Sequence, residues 1–192
     1  NEFVDPVISG INPMLVTLDA SGSAPEPFIT APSPNGVDVG GTVIRYPLAE
    51  GYDLDYSVES NQVKQNLVLR EVPVLPEAAE YFGLSEGLRM PVGYALFSGE
   101  TMLGEEIFKT QEDLQIRNIE TGELLAEIPA PVIMEAGAEE PYMGTFFVQV
   151  YGPEILLITV VESDWLLDED RVYPVAIDPS IRVNSNAGGY CY

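Results

Sequence analysis

The chain has no histidine, one cysteine, one tryptophan and only 8 basic residues against 31 acidic ones. Each scarcity excludes something. Without histidine there is no Ser-His-Asp or Cys-His relay and no zinc site of the usual kind. Cys191 lies next to the C-terminal residue and has no second cysteine to bridge, which leaves an intermolecular disulfide or an incidental thiol in a loose tail. A formal net charge of −23 repels phosphate backbones and anionic lipids, so roles on nucleic acid or at a membrane surface are disfavoured, while divalent cations are attracted. No apolar run reaches the ~18 residues of a membrane-spanning helix. The start, Asn1-Glu2-Phe3-Val4-Asp5, has neither the basic flank nor the apolar stretch of a signal peptide, so an exported protein would already have lost its signal.

What is present is material for a core: 46% of the 192 residues are hydrophobic, enough for one sizeable core or two small packed sheets. The apolar residues come in short runs rich in β-branched and aromatic types. Met14–Leu18, Thr42–Tyr46, Leu54–Val58, Val63–Val72, Met90–Phe97, Leu114–Ile119, Leu124–Ile128, Thr145–Tyr151 and Ile155–Glu162 all read as strands. Glu120-Thr121-Gly122-Glu123 predicts the turn of a hairpin over 114–128, and Gly152-Pro153 predicts another. Pro76 followed by helix formers and closed by Gly83 predicts one short helix over 76–83. The prolines and small residues of 21–36 oppose both helix and ladder, and predict an extended tether that could carry O-linked sugars. The expected fold is therefore all-β, an antiparallel β-sandwich or two small stacked sheets with one short helix and an extended N-terminal arm. Its expected parts are a strand and tether over 1–36, a β-rich region over 37–182 divisible near 37–112 and 113–182, and a tail over 183–192.

The candidate chemistry is thin. Gly40-Gly41 is not followed by the helix and lysine of a phosphate loop, and carboxylates are too abundant for any one pair to be singled out. Asp53 and Asp55 alternate with Leu54 and Tyr56, which predicts a solvated acidic face on a strand. Trp165, beside Leu166 and Leu167, is expected to anchor the core. Tyr46-Pro47 and Tyr173-Pro174 are expected at strand ends, where proline owes no ladder donor. Asp164, Asp168, Glu169, Asp170 and Asp178 crowd the last third, and hard oxygen ligands of this type suit calcium, although their spacing is not that of an EF-hand. Calcium, on Asp164, Asp168, Asp170 and Asp178, is the one cofactor candidate, against the plain alternative of a solvated charge run.

An ordered set of segments resembles a known kind of region. Val43-Ile44-Arg45-Tyr46-Pro47, Gly51-Tyr52-Asp53-Leu54-Asp55-Tyr56, Val63-Lys64-Gln65-Asn66-Leu67-Val68-Leu69 and Ile128-Pro129-Ala130-Pro131 come first. Trp165-Leu166-Leu167-Asp168-Glu169-Asp170-Arg171-Val172-Tyr173-Pro174-Val175-Ala176-Ile177-Asp178-Pro179-Ser180 closes the set. Residues 42–182 thus resemble the β-rich region that precedes the repeats in large secreted or cell-surface proteins of bacteria and archaea, including YD-repeat (Rhs-type) proteins. The resemblance implies an extracellular, non-catalytic scaffold, with no catalytic residue to carry over. No YD repeat and no toxin domain follows Ser180, which points away from toxin delivery.

Two functional expectations follow. In the first the chain is a surface-filament subunit that polymerises with itself, its N-terminal strand completing a neighbour's sheet; Val7, Ile8, Met14, Leu15, Val16 and Leu18 are the inter-subunit residues. In the second it is a monomeric β-sandwich that binds or displays, within a large adhesin or Rhs-type protein, and holds a glycan or protein on a concave face of Tyr46, Tyr52 and Tyr56. Neither involves catalysis, nucleic acid or membrane insertion, and a hydrolytic enzyme ranks third for want of a site.

Overall fold

Period-two runs can bury one face of a strand, and runs apolar on both phases can bury two; this chain uses both. The computed structural model describes residues 11–22, 26–29, 35–58, 62–178 and 180–183. In chain order the strands are β1 (Ile11–Leu18), β2 (Glu26–Ile29), β3 (Val37–Asp38), β4 (Val43–Ala49), β5 (Tyr52–Val58), β6 (Gln62–Leu69), β7 (Tyr81–Arg89), β8 (Tyr94–Ser98) and β9 (Thr101–Met102). There follow β10 (Phe108–Thr110), β11 (Leu114–Asn118), β12 (Leu124–Ile128), β13 (Val132–Glu135), β14 (Tyr142–Met143), β15 (Thr145–Tyr151) and β16 (Glu154–Glu162). The short helix α1 (Ser163–Leu166), β17 (Val175–Asp178) and β18 (Ile181–Val183) complete the series. The protein is an all-β, antiparallel sandwich.

One sheet runs β10-β15-β16-β7-β1-β2. The other is longer: along the path β14-β13-β17-β6-β18-β12-β11-β8-β9, β6 also carries β5, then β4, then β3 on its second edge. β17 and β18 follow one another along the same edge of β6, with Val175 opposite Leu69 and Ile181 opposite Val63. β12 and β13 do the same along β18 and β17, on either side of Pro129-Ala130-Pro131. Both halves of the sequence enter both sheets, so the strands do not pair as separate units divided near 112.

The core lies between the sheets in two clusters. At one end Leu88, Phe146, Val148 and Leu157 of the first sheet meet Leu96, Leu114, Ile116 and Ile128 of the second. At the other, Leu15, Phe82, Leu84 and Val161 meet Leu54, Leu67, Ile133, Val175 and Ile177. Each such side chain stabilises the fold by roughly 1.5–3 kcal/mol relative to exposure. The first sheet also buries its outer side: Val16, Leu18, Tyr81, Phe147, Ile158 and Val160 form a third cluster. Gly22 lies so close over the Phe147 ring that it has no room for a side chain, and its φ of 66° suits glycine as well.

Several local expectations need correction. Residues 76–83 form no helix: the chain turns at Glu77-Ala78 and enters β7 at Tyr81. The helix formers are overruled because Tyr81 and Phe82 are each buried, on opposite faces of a central strand, and because Gly83 is packed against the Thr159 carbonyl and the Val160 backbone. Gly83 is a close approach, not a helix stop. The single short helix sits instead at Ser163–Leu166. The Pro-rich tether contains a strand, β2, which pairs antiparallel with β1 across a bulge and places Pro27 opposite Val16 on the sheet's outermost strand, where a missing donor is tolerated. The run Met90–Phe97 is broken, with β7 ending at Arg89 and β8 starting at Tyr94 after a turn through Gly93 (φ 87°), while β6 stops at Leu69, short of Val72. Pro47 lies inside β4, opposite Asp53 and beside a register shift, instead of at its end. Both predicted hairpins are present, β11–β12 turning with Gly122 at φ 72° and β15–β16 with Gly152 at φ 60°.

Candidate functional site

The segment with the strongest sequence pattern, 163–178, folds into a clasp at one end of the sandwich. Helix α1 follows β16 directly, with Ser163 N–H donating to the Glu80 carbonyl and Leu166 fully buried. Trp165 is half-buried against the cluster below it, consistent with an anchoring role. Its ring stacks on Tyr142 with centroids 4.7 Å apart and planes at 15°, and the Arg171 guanidinium lies 4.4 Å from its centre. Arg171 Nη1 donates to Glu135 Oε2 at 2.6 Å, and the Val172 N–H donates to Oε1 of the same carboxylate at 2.6 Å. The Tyr142 hydroxyl donates to Glu162 Oε2 at 3.0 Å, and the Tyr173 hydroxyl to the Leu166 carbonyl at 2.7 Å. Burial raises the phenol of Tyr173 to about 12, with nearby Tyr52 adding to the rise. The Tyr142 phenol is likewise raised, by burial first and then by Glu162. At pH 7 both phenols remain protonated donors. The Tyr173–Pro174 bond is cis, and β17 begins immediately after it.

The acidic residues proposed for calcium do not converge there. Asp168 caps its own turn, its Oδ1 accepting from the Asp170 N–H at 2.9 Å and its carbonyl from the Arg171 N–H at 3.1 Å. Asp178 accepts from both the N–H and the hydroxyl of Ser180. Asp164 is exposed in the first turn of α1. Among the described residues no group of three or more His, Cys, Asp or Glu side chains is placed to hold a metal ion. For Asp168 and Asp178 the crowding in sequence is local turn chemistry, in which the carboxylate serves the backbone two residues on.

Asp53 and Asp55 do share one face of β5, but that face is not a solvated acidic one. Asp53 is 3% exposed and Asp55 9% exposed. Arg45 on the neighbouring β4 grips Asp55 with two bonds, Nε to Oδ1 at 2.7 Å and Nη2 to Oδ2 at 2.6 Å. Arg70 Nε donates to Asp53 Oδ2 at 2.6 Å, and Arg45 Nε lies 3.7 Å from the same oxygen. In a chain with 8 basic residues, two are committed here to two buried acids. The signal in the sequence was the cross-strand register, which a single strand does not reveal.

Tyr46, Tyr52 and Tyr56 form no open concave face. All three pack against the core cluster of the β5–β6 end, Tyr46 edge-on to Tyr56 at 5.7 Å and Tyr52 against Phe82 at 6.0 Å. Burial raises the Tyr56 phenol further, and Glu86 adds to the effect.

Glu86 is the polar residue that sequence reading missed. On β7 the inward-facing positions include Leu84 of one cluster and Leu88 of the other, with Glu86 between them, 7% exposed. Gln65 on the opposite sheet donates Nε2 to Glu86 Oε1 at 2.8 Å. Burial lifts this carboxyl to about 7 against the opposing pull of the Gln65 bond. A carboxylate in the inward phase of an otherwise apolar strand was the legible signal.

The filament expectation names residues at the other end of the chain. Val7 and Ile8 lie outside the described residues. Met14, Leu15, Val16 and Leu18 lie in β1, which is hydrogen-bonded to β7 on one side and β2 on the other within its own chain. Leu15 faces the inter-sheet core, whereas Val16 and Leu18 face the outer cluster, with Met14 packed on it. Cys191 lies outside the described residues. No helix among the described residues is long and apolar enough to cross a membrane. No protein-family model, no curated protein and no solved structure matches the chain.

Proposed function

We propose that the chain is an extracellular, non-catalytic structural module, a β-sandwich that serves as a load-carrying or display segment of a surface protein. The observation that carries this reading is the place of β1: its Val16 is 0% exposed, and β1 pairs on both sides, with β7 and β2, within its own chain. The ionisable groups support it. Asp53, Asp55 and Glu135 are held by arginines and Glu86 by a core glutamine, which is how structural carboxylates are satisfied. The resemblance of residues 42–182 to the pre-repeat region of YD-repeat surface proteins agrees with an extracellular scaffold.

The filament reading stands beside it on one observation. β1 and β2 form a hairpin at one edge of the sheet with β7 as acceptor, and exchanging that hairpin between copies would preserve every pairing. Met14 lies directly opposite Ser85, so a Met14→Cys/Ser85→Cys pair in a Cys191→Ser background discriminates. A cross-linked monomer on a non-reducing gel is expected. A ladder of covalent oligomers, with filaments in the electron microscope, would replace the module reading by strand exchange.

A further inference from the structure

Next to the clasp the surface opens into a cleft of about 530 Å³ lined by Lys109, Thr110, Gln111, Glu112, Thr145 and Glu162. Every lining residue carries a polar group, which favours a ligand rich in hydrogen-bonding groups. Donors and acceptors both face it. Gln111 Nε2 donates to the buried Thr145 hydroxyl at 3.3 Å, which leaves the Gln111 carbonyl oxygen and second amide hydrogen for a ligand. Lys109 is fixed by donating to the Tyr81 hydroxyl at 2.7 Å while sitting 4.8 Å from that ring's centre. Glu162 accepts from Tyr142 at 3.0 Å, and a carboxylate has lone pairs beyond the one so filled.

Outside the lining itself, Tyr142 reaches the cleft wall. Its hydroxyl touches the cleft wall at Glu162, one face is held by Trp165, and the residue is still 36% exposed. The stack on Trp165, itself braced by Arg171, sets the plane of the Tyr142 ring before any ligand arrives.

We propose that this cleft is a glycan-binding site for a neutral sugar residue, which hydrogen-bonds Gln111, Thr110 and Glu162, with the Tyr142–Trp165 stack standing behind Glu162. Hydroxyl groups match a wall that mixes donors with acceptors. Two carboxylates against one committed lysine make the wall net negative, so phosphorylated and carboxylated ligands are repelled. The inference goes beyond the structural reading, which neither requires nor excludes it.

The chain carries its own reporter, because Trp165 is its only tryptophan and stacks on Tyr142. The test titrates maltose, cellobiose, lactose and N,N′-diacetylchitobiose into the whole chain, followed by Trp165 emission and by amide NMR shifts. At least one sugar is expected to saturate with a dissociation constant on the order of 1 mM and to shift residues 109–112, 145 and 162. Gln111→Ala, at an exposed position, should weaken binding about fivefold to tenfold without changing the unfolding temperature. Glucuronate should bind more weakly than glucose to the native chain, and Glu162→Gln should narrow that gap. Absence of saturation with all four sugars, shifts located elsewhere, affinity unchanged by Gln111→Ala, or preference for glucuronate would each overturn the proposal.

Discussion

Gln65 on one sheet and Glu86 on the other meet inside the sandwich, the amide nitrogen 2.8 Å from the carboxyl oxygen, between two apolar clusters. Burial raises Glu86 from 4.5 to about 7. The folded state therefore binds this proton more tightly than the unfolded chain does. Its contribution is fully present below about pH 4.5 and declines as pH rises toward 7, by up to roughly 3 kcal/mol at ~1.4 kcal/mol per unit. Urea midpoints measured from pH 4 to 8 should fall for the native chain more steeply than for Glu86→Gln, which keeps a hydrogen-bonding partner for Gln65 without the charge. Parallel profiles would show that Glu86 does not titrate in this window.

Arg45 holds Asp55 by two bonds and Arg70 holds Asp53. Arg45→Met leaves the Asp55 carboxylate buried without its partner and should cost about 2–3 kcal/mol, below the range for fully buried pairs because Arg45 is partly solvated. Arg70→Met should cost less, since that side chain is 55% exposed and Arg45 stays near Asp53. Equal losses in denaturant midpoint would show that the pairs do not differ in burial as described.

Gly83 and Gly104 separate packing from chain entropy. A Cβ on Gly83 meets the backbone of Thr159 and Val160, which cannot move without breaking the β7–β16 ladder. Gly83→Ala should destabilise by more than about 3 kcal/mol or prevent folding. A Cβ on Gly104 meets nothing within 4 Å, so Gly104→Ala should lie within about 1 kcal/mol of the native chain. Thermal unfolding of the two variants distinguishes these outcomes.

Arg171→Ala removes both the Glu135 pair and the guanidinium beside Trp165. Emission from Trp165 should shift to longer wavelength as the indole gains water, and stability should fall by about 2 kcal/mol. Tyr173→Phe, which loses only the bond to the Leu166 carbonyl, should cost about 1 kcal/mol and leave the emission unchanged. An unshifted spectrum in Arg171→Ala would mean that the stack does not depend on the arginine.

Period-two patterning and turn chemistry are local, and they were legible. The runs that became β5, β11, β12, β15 and β16, and the turns at Gly122 and Gly152, could be read residue by residue because side-chain alternation and positive φ depend on near neighbours. The same reasoning failed at 76–83, where helix formers yielded to a central strand buried on both faces, and at Asp53 and Asp55, whose arginines arrive from β4 and the end of β6. The aspartates of 164–178 looked like a cluster in sequence, yet Asp168 and Asp178 point into their own turns and Asp164 stands exposed on α1. The cleft beside Tyr142 was invisible for a similar reason: residues 109–112, 145 and 162 meet only when β10, β15 and β16 lie side by side. By itself the sequence determined composition, charge, an all-β class and the absence of histidine chemistry, since these follow from residue types and short-range spacing. Which acids are buried, which aromatics are exposed and which edge takes the N-terminal strand were decided by the tertiary structure alone, because burial and pairing depend on residues far apart in the chain.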